Sequence, residues 1–356
     1  MCAARPCSPG EGKQSFRLRL LHIEAAKYLI VEVTQVSRYI ARRALTGALI
    51  VLVSIFLNFM LIHLAPGDPV SILSGKDSPS PEMEAALRAK YGLDQPVLVQ
   101  FGAYIRTLLQ GDLGESILSG RPVAEMIAER IGPTLLLALT TAVLSVMIGT
   151  ALGIHCARRQ GTKLDTTLSG ISYLFDAMPP FWLGMMFILA FASTLKLFPT
   201  AGMVDMRADY EGIQYVADVL RHLFLPALTL TLLNIPYFFR IARASVIQVM
   251  SEDFVMTFRA AGMKESRIFY KYIFKNSILP TVTVFGITLA YIITGVSIIE
   301  IVFSWPGMGN FMMNAISRRD YPLLMGLYLI LSVSVAVNMI LTDIVYAWID
   351  PRIRYN

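Results

Sequence analysis

The chain has 356 residues, 55% of them hydrophobic and 16% charged, with a net charge of +6. That charged share is well below the roughly 25% of a soluble globular domain, so a soluble fold is excluded. The cations cluster beside apolar runs, which fits membrane topology and not nucleic-acid binding.

Residues 1–37 are mixed and basic and read as a dispensable extension, possessing enough scattered apolar residues (Phe16, Leu18, Leu20, Leu21, Ile23, Tyr28) to form an interfacial helix instead. Six charge-poor runs of about 20 residues then follow as predicted transmembrane helices. They cover 44–64, 131–157, 167–195, 222–239, 277–299 and 321–348. The first is too long and starts too late for a cleavable signal. The fourth is short and interrupted by Pro226, Asn234 and Pro236. The segment 66–130 is too long for a connector and carries helix signals at Ser80-Pro81-Glu82, at Pro96 and at Arg121-Pro122, so it predicts a small helical domain outside the membrane.

With the N-terminus inside, the inner segments hold 20 Lys and Arg against 8 acids, and the outer ones 11 against 14. The positive-inside rule therefore puts both termini in the cytoplasm, with 350–356 as a short inner tail. The cysteines Cys2, Cys7 and Cys156 imply no disulfide framework.

The inner segment 251–276 is the most informative stretch. Ser251 is the expected N-cap of a helix whose Phe254, Val255, Phe258 and Ala261 share a face. Gly262 stops it, and 264–276 resumes as a second, basic helix.

Catalytic and cofactor signatures are missing. Neither Gly12-Lys13 nor Gly75-Lys76 has the upstream glycine of a phosphate-binding loop, and Gly307-Met308-Gly309 follows Trp305-Pro306 rather than a strand. No metal-ligand spacing occurs among the four histidines and three cysteines, so no enzyme activity, cofactor or metal is expected. Polar residues within spans remain as candidates, because burying them in hydrocarbon is costly. Asp176, Pro179, Pro180, Asn234 and Asp343 either line or gate a solute path, or pair helices together. The double proline must kink or unwind the third span.

In order along the chain stand Ala65-Pro66-Gly67-Asp68-Pro69, Tyr91-Gly92-Leu93-Asp94-Gln95-Pro96, Gly111-Asp112-Leu113-Gly114-Glu115-Ser116, Pro180-Phe181-Trp182-Leu183-Gly184, Phe303-Ser304-Trp305-Pro306-Gly307-Met308-Gly309 and Arg319-Asp320-Tyr321-Pro322. With them, residues 38 to 355 resemble a permease subunit of the oligopeptide/dipeptide/nickel class of ABC importers. The resemblance implies an all-α, type I importer fold with one transmembrane helix at 38–65, a scoop-like helical domain at 66–130 and a five-helix core at 131–349. It implies a second homologous permease, two ABC ATPase subunits, an extracytoplasmic solute-binding protein and residence in a bacterial inner membrane. It also makes Phe254, Phe258, Ala260, Ala261, Gly262 and Lys264 the ATPase-coupling residues, with Asn276 and Pro280 completing the peptide-class form. Met256 stands where the general pattern has an acidic residue. The implied cargo is peptides, with nickel complexes, glutathione or another small solute as competitors. A stand-alone ion-coupled carrier is the alternative; it would not need the coupling loop, and no inverted repeat supports it.

Overall fold

The computed structural model describes residues 42–60 apart from 44, then 82, 85, 95–290 and 296–349, with the backbone alone at 290 and 341–349. The expected extension 1–37, most of the first part of the segment 66–130 and the tail 350–356 lie outside the described residues, as do the motifs at 65–69 and 91–94. Regular structure among the described residues is helical, with a single bridge between Glu115 and Pro122.

We number the helices in chain order. Helix α1, Leu45–Met60, packs against α2, Val97–Leu109, through Phe56, Phe59 and Phe101, whose ring centroids lie 5.3 Å apart in both pairs. Pro96 starts α2, as the sequence predicts. Helix α3, Val123–Ala157, runs for 35 residues straight through Pro133, so the third outer helix and the second span are one element. Helix α4, Lys163–Asp176, is capped by Thr162, and α5, Pro180–Phe187, continues into a π-helical stretch, Ile188–Thr194. The chain bends by 100° between α4 and α5, at the double proline. Neither Pro179 nor Pro180 has an N–H to carry α4 onward.

Helix α6, Gly212–Met250, is a continuous 39-residue helix. This corrects the expectation of a short fourth span broken by its prolines. Pro226 and Pro236 are both buried, and packing holds the helix through them. Near them, Thr229 Oγ1 donates to the Leu225 carbonyl and Asn234 Nδ2 to the Leu230 carbonyl, each at 2.8 Å, so both polar side chains are satisfied within the helix. Two glycines let α3 come close. A Cβ on Gly149 would sit 2.8 Å from the Ile235 carbonyl, and one on Gly153 would sit 2.6 Å from that of Phe239. This Gly-xxx-Gly seam makes α3 and α6 the central pair.

After α6 come α7, Asp253–Ala260, and a second arm built from α8, Glu265–Ile268, a π-helical turn, Phe269–Ile273, and α9, Phe274–Ser277. Then follow α10, Leu279–Ala290, α11, Ser297–Val302, α12, Met308–Arg318, and α13, Tyr321–Ile349. Three of the described helices are long and apolar enough to cross a bilayer (α3, α6 and α13), and the bent α4–α5 pair makes a fourth when counted as one span. Where the first and fifth spans are expected, the described residues hold shorter helices, Leu45–Met60 and Leu279–Ala290 followed by Ser297–Val302, each bordering residues outside those described.

The buried apolar residues form three clusters. One joins Leu137, Leu225, Ile299 and Trp305 in the middle of the molecule. A second joins the start of α3 to α12 and α13 through Val123, Met308 and Leu327. The third ties the α7–α9 hairpin to the ends of α3 and α6 through Ala157, Val246, Val255 and Ile268.

Candidate functional site

The hairpin after α6 starts one residue later than the sequence suggests. Ser251 Oγ donates to the Gln248 carbonyl at 2.7 Å and so closes α6, which leaves Glu252 as the N-cap of α7. Val255 is fully buried, while Phe254 and Phe258 are half-buried and meet edge to face within α7. The Phe258 ring lies 4.4 Å from that of Tyr272 on the returning arm. Ala260, Ala261, Gly262 and Lys264 are exposed, as is Met256 at 65%. The six expected coupling residues thus divide. Two aromatic residues hold the hairpin shut, and the other four form its tip.

At that tip Gly262 has φ +76°, while a Cβ there would meet nothing within 4 Å. The position therefore excludes side chains by backbone strain, not by crowding. Arg259 Nε reaches Glu265 Oε1 at 2.7 Å across the turn, and that guanidinium holds the Glu265 carboxyl below its ordinary range.

A second constellation sits at the α4–α5 bend. Asp176, Pro180 and Asn234 line one cleft of about 300 Å³, with Phe175, Met178, Leu230, Leu233, Ile298 and Ile299 as its apolar wall. Pro179 is the N-cap of α5 at its edge. Asp176 is not alone: Arg240 contacts its two carboxylate oxygens at 2.6 and 3.3 Å. Asp343 falls on α13, which contributes none of these lining residues, and its side chain is outside the described ones.

Three polar constellations escape sequence reasoning. Arg243 grips the buried Asp165 in two places, 2.7 and 2.8 Å, and the Gly161 N–H adds a bond of 3.1 Å. That guanidinium holds the Asp165 carboxyl below the usual carboxylate range. Arg240 and Arg243 on α6 thus both hold α4. Second, Glu300 is fully buried and accepts from Thr134 Oγ1 at 2.6 Å and from the Gly309 and Asn310 N–H groups at 2.7 and 3.3 Å. The N-cap of α12 is Gly307, which has no side chain, so Glu300 caps that helix from α11. A Cβ at Gly307 would occupy the space of that carboxylate. Third, the buried Asp320 accepts from Ser116 Oγ at 2.5 Å and from the Ile117 N–H at 3.1 Å, fastening the α2–α3 loop to the start of α13.

A bent span, a long central helix and an amphipathic hairpin at its end define the transmembrane subunit of an ABC importer. The solved structure of the MetNI methionine ABC transporter in inward-facing form has this fold, with a TM-score of 0.50 at 15% identity over 64% of this chain and 97% of the other. The chain belongs to the family described as binding-protein-dependent transport system inner membrane component, which matches residues 149–355, with its N-terminal part matching 36–138. It is similar to the oligopeptide transport system permease protein AppB of Bacillus subtilis, 35% identical over 89% of this chain and 99% of that one. A putative peptide permease protein of Brucella suis is 38% identical over the same shares. The protein is thus a non-catalytic, multi-pass permease subunit of an ABC importer, which implies ATPase and binding-protein partners and removes the stand-alone carrier from consideration.

Proposed function

We propose that this permease carries di- or oligopeptides inward across a bacterial inner membrane, with both termini in the cytoplasm. A second homologous permease completes the solute path, two ATPase subunits drive it, and an external binding protein delivers the cargo. Peptides are favoured because relatives at 35% and 38% identity carry oligopeptide and peptide names. The orientation rests on the charge split, 20 Lys and Arg against 8 acids on the assigned inner side.

The α7–α9 hairpin is the ATPase-docking surface, with Ala260, Ala261, Gly262 and Lys264 at the contact and Phe254 and Phe258 bracing it from within. The observation that carries this reading is the hairpin's division into an exposed tip and a buried root fixed to α3 and α6. The cleft at the bend, with Asp176, Pro179, Pro180 and Asn234, lies on the solute path. An ion pair within a predicted span belongs next to protein or water and not next to lipid. Asp343 is assigned to the path or to pairing between helices.

The test is Gly262→Val in the assembled transporter. A β-branched residue is strained at this positive φ, so the tip should be displaced, the ATPase subunits should co-purify poorly and peptide uptake should fall while the permease stays in the membrane. Wild-type uptake and wild-type ATPase retention would overturn the docking assignment.

A further inference from the structure

Two arginines one turn apart on α6 reach the two ends of α4. Arg243 closes on Asp165 in the first turn of α4, and Arg240 closes on Asp176, its last residue. The aspartates are 11 residues apart, about 16 Å along α4, whereas the arginines are three apart, about 4.5 Å along α6. The guanidinium groups therefore splay and bracket the whole helix like a fork.

The two prongs differ. The Asp165 side chain is 5% exposed and that of Arg243 29%, and the Gly161 N–H also bonds the carboxylate, so this contact is the more buried and the more fully bonded of the two. Asp176 and Arg240 are 44% and 36% exposed and border the cleft beside the bend. An ion pair this open changes an equilibrium by up to about fivefold, which is enough to bias a movement and too little to hold a fold together. The docking hairpin continues directly from the far end of α6 and packs on that end through Val246. A push on the hairpin is thus delivered to the helix that carries both prongs.

We infer that Arg240 and Arg243 are positioning residues that carry the movement of the hairpin to the α4–α5 bend. Asp165–Arg243 is the fixed point about which α4 turns, and Asp176–Arg240 is the releasable contact that sets how far α4 and α6 part at the cleft. This rests on the reading of the hairpin as the docking surface.

The test uses the complete transporter in proteoliposomes with variants D176N, R240Q and the charge-exchanged D176R/R240D. The readouts are ATPase subunits retained by the purified permease and the rate of ATP hydrolysis without binding protein. The single variants should retain the ATPase subunits at the wild-type ratio and alter hydrolysis by about two- to fivefold, and the exchanged pair should return it toward wild type. A further variant, D165N/R243Q, removes both charges of the fixed point together and so strands neither. Adding D176N to that background should change nothing more, because the releasable contact no longer has a fixed point to work against.

Wild-type hydrolysis in the single variants, an exchanged pair as impaired as they are, or additive effects of D176N and D165N/R243Q would each overturn the inference. Loss of the ATPase subunits from D176N would overturn it too, since α4 would then serve docking itself. Failure of the docking reading shows separately, as normal coupling in Gly262→Val.

Discussion

Replacing Glu300 tests whether a helix can depend on a cap borrowed from another helix. In the structure one carboxylate oxygen meets the Thr134 hydroxyl at 2.6 Å and the other meets the Gly309 N–H at 2.7 Å, with the Asn310 N–H at 3.3 Å. Thr134 Oγ1 also accepts from the Met308 N–H at 2.8 Å. Glu300→Gln can keep most of this, because its oxygen can face the two N–H groups while its NH₂ donates to the Thr134 hydroxyl. The loss is the difference between charge-assisted and neutral hydrogen bonds, about 1–2 kcal/mol. Glu300→Leu fills similar space but strands the buried Gly309 N–H, the half-buried Asn310 N–H and the Thr134 hydroxyl, and the buried N–H alone costs about 1–3 kcal/mol. Unfolding of the purified permease by SDS titration in mixed micelles should rank wild type above Gln and Gln well above Leu. A Leu variant as stable as the Gln variant would refute the borrowed cap.

Three further outcomes follow from the packing and charges described. Gly153→Leu should destabilise by about 1–3 kcal/mol in the same titration, because its Cβ would begin 2.6 Å from the Phe239 carbonyl. Gly170→Ala, in a helix where a Cβ meets nothing within 4 Å, should stabilise by about 0.5–1 kcal/mol. The depressed Asp165 carboxyl makes stability acid-sensitive in a defined direction. Its contribution is complete above the unfolded value of about 4 and is lost as pH falls through the lower folded value. Thermal unfolding between about pH 3 and 7 should show that acid loss in wild type and lack it in Asp165→Asn.

Much of the fold could be read from the chain because its signals are local. The charge-poor runs, the double proline at 179–180 and the glycine at 262 each act within a few residues, and the helices, the bend and the hairpin tip follow from them. What sequence could not supply depends on partners far along the chain. Ser251 looks like an N-cap until the preceding helix is known to reach Met250 and use its hydroxyl. Pro226 and Pro236 look like breaks until packing on α3 is seen. Asp176 was singled out, but its partner Arg240 lies 64 residues on, and the partners Asp165 and Arg243 are separated by 78. The Gly149–Gly153 spacing is a signal that sequence reasoning missed; it marks a close helix contact, although only the structure names α6 as the partner. Glu300 carried no such signal, because the glycine that needs its carboxylate cannot be distinguished by sequence from an ordinary turn residue.

The contact between Ser116 and Asp320 spans 204 positions, and that separation orders events during synthesis. The ribosome adds about 5–20 residues each second, so the loop at 111–122 emerges roughly ten or more seconds before the residue that fastens it. Through that interval the loop has its own turn, including the Glu115–Pro122 bridge and the Gly120 N–H on the Ser116 carbonyl at 2.9 Å, without the Asp320 contact. A chain that stops before residue 320 lacks the Asp320 carboxylate and leaves the loop unfastened and open to surface proteases. Synthesis of α13 thereby fastens a loop made about 200 residues earlier, on the membrane face where that loop lies.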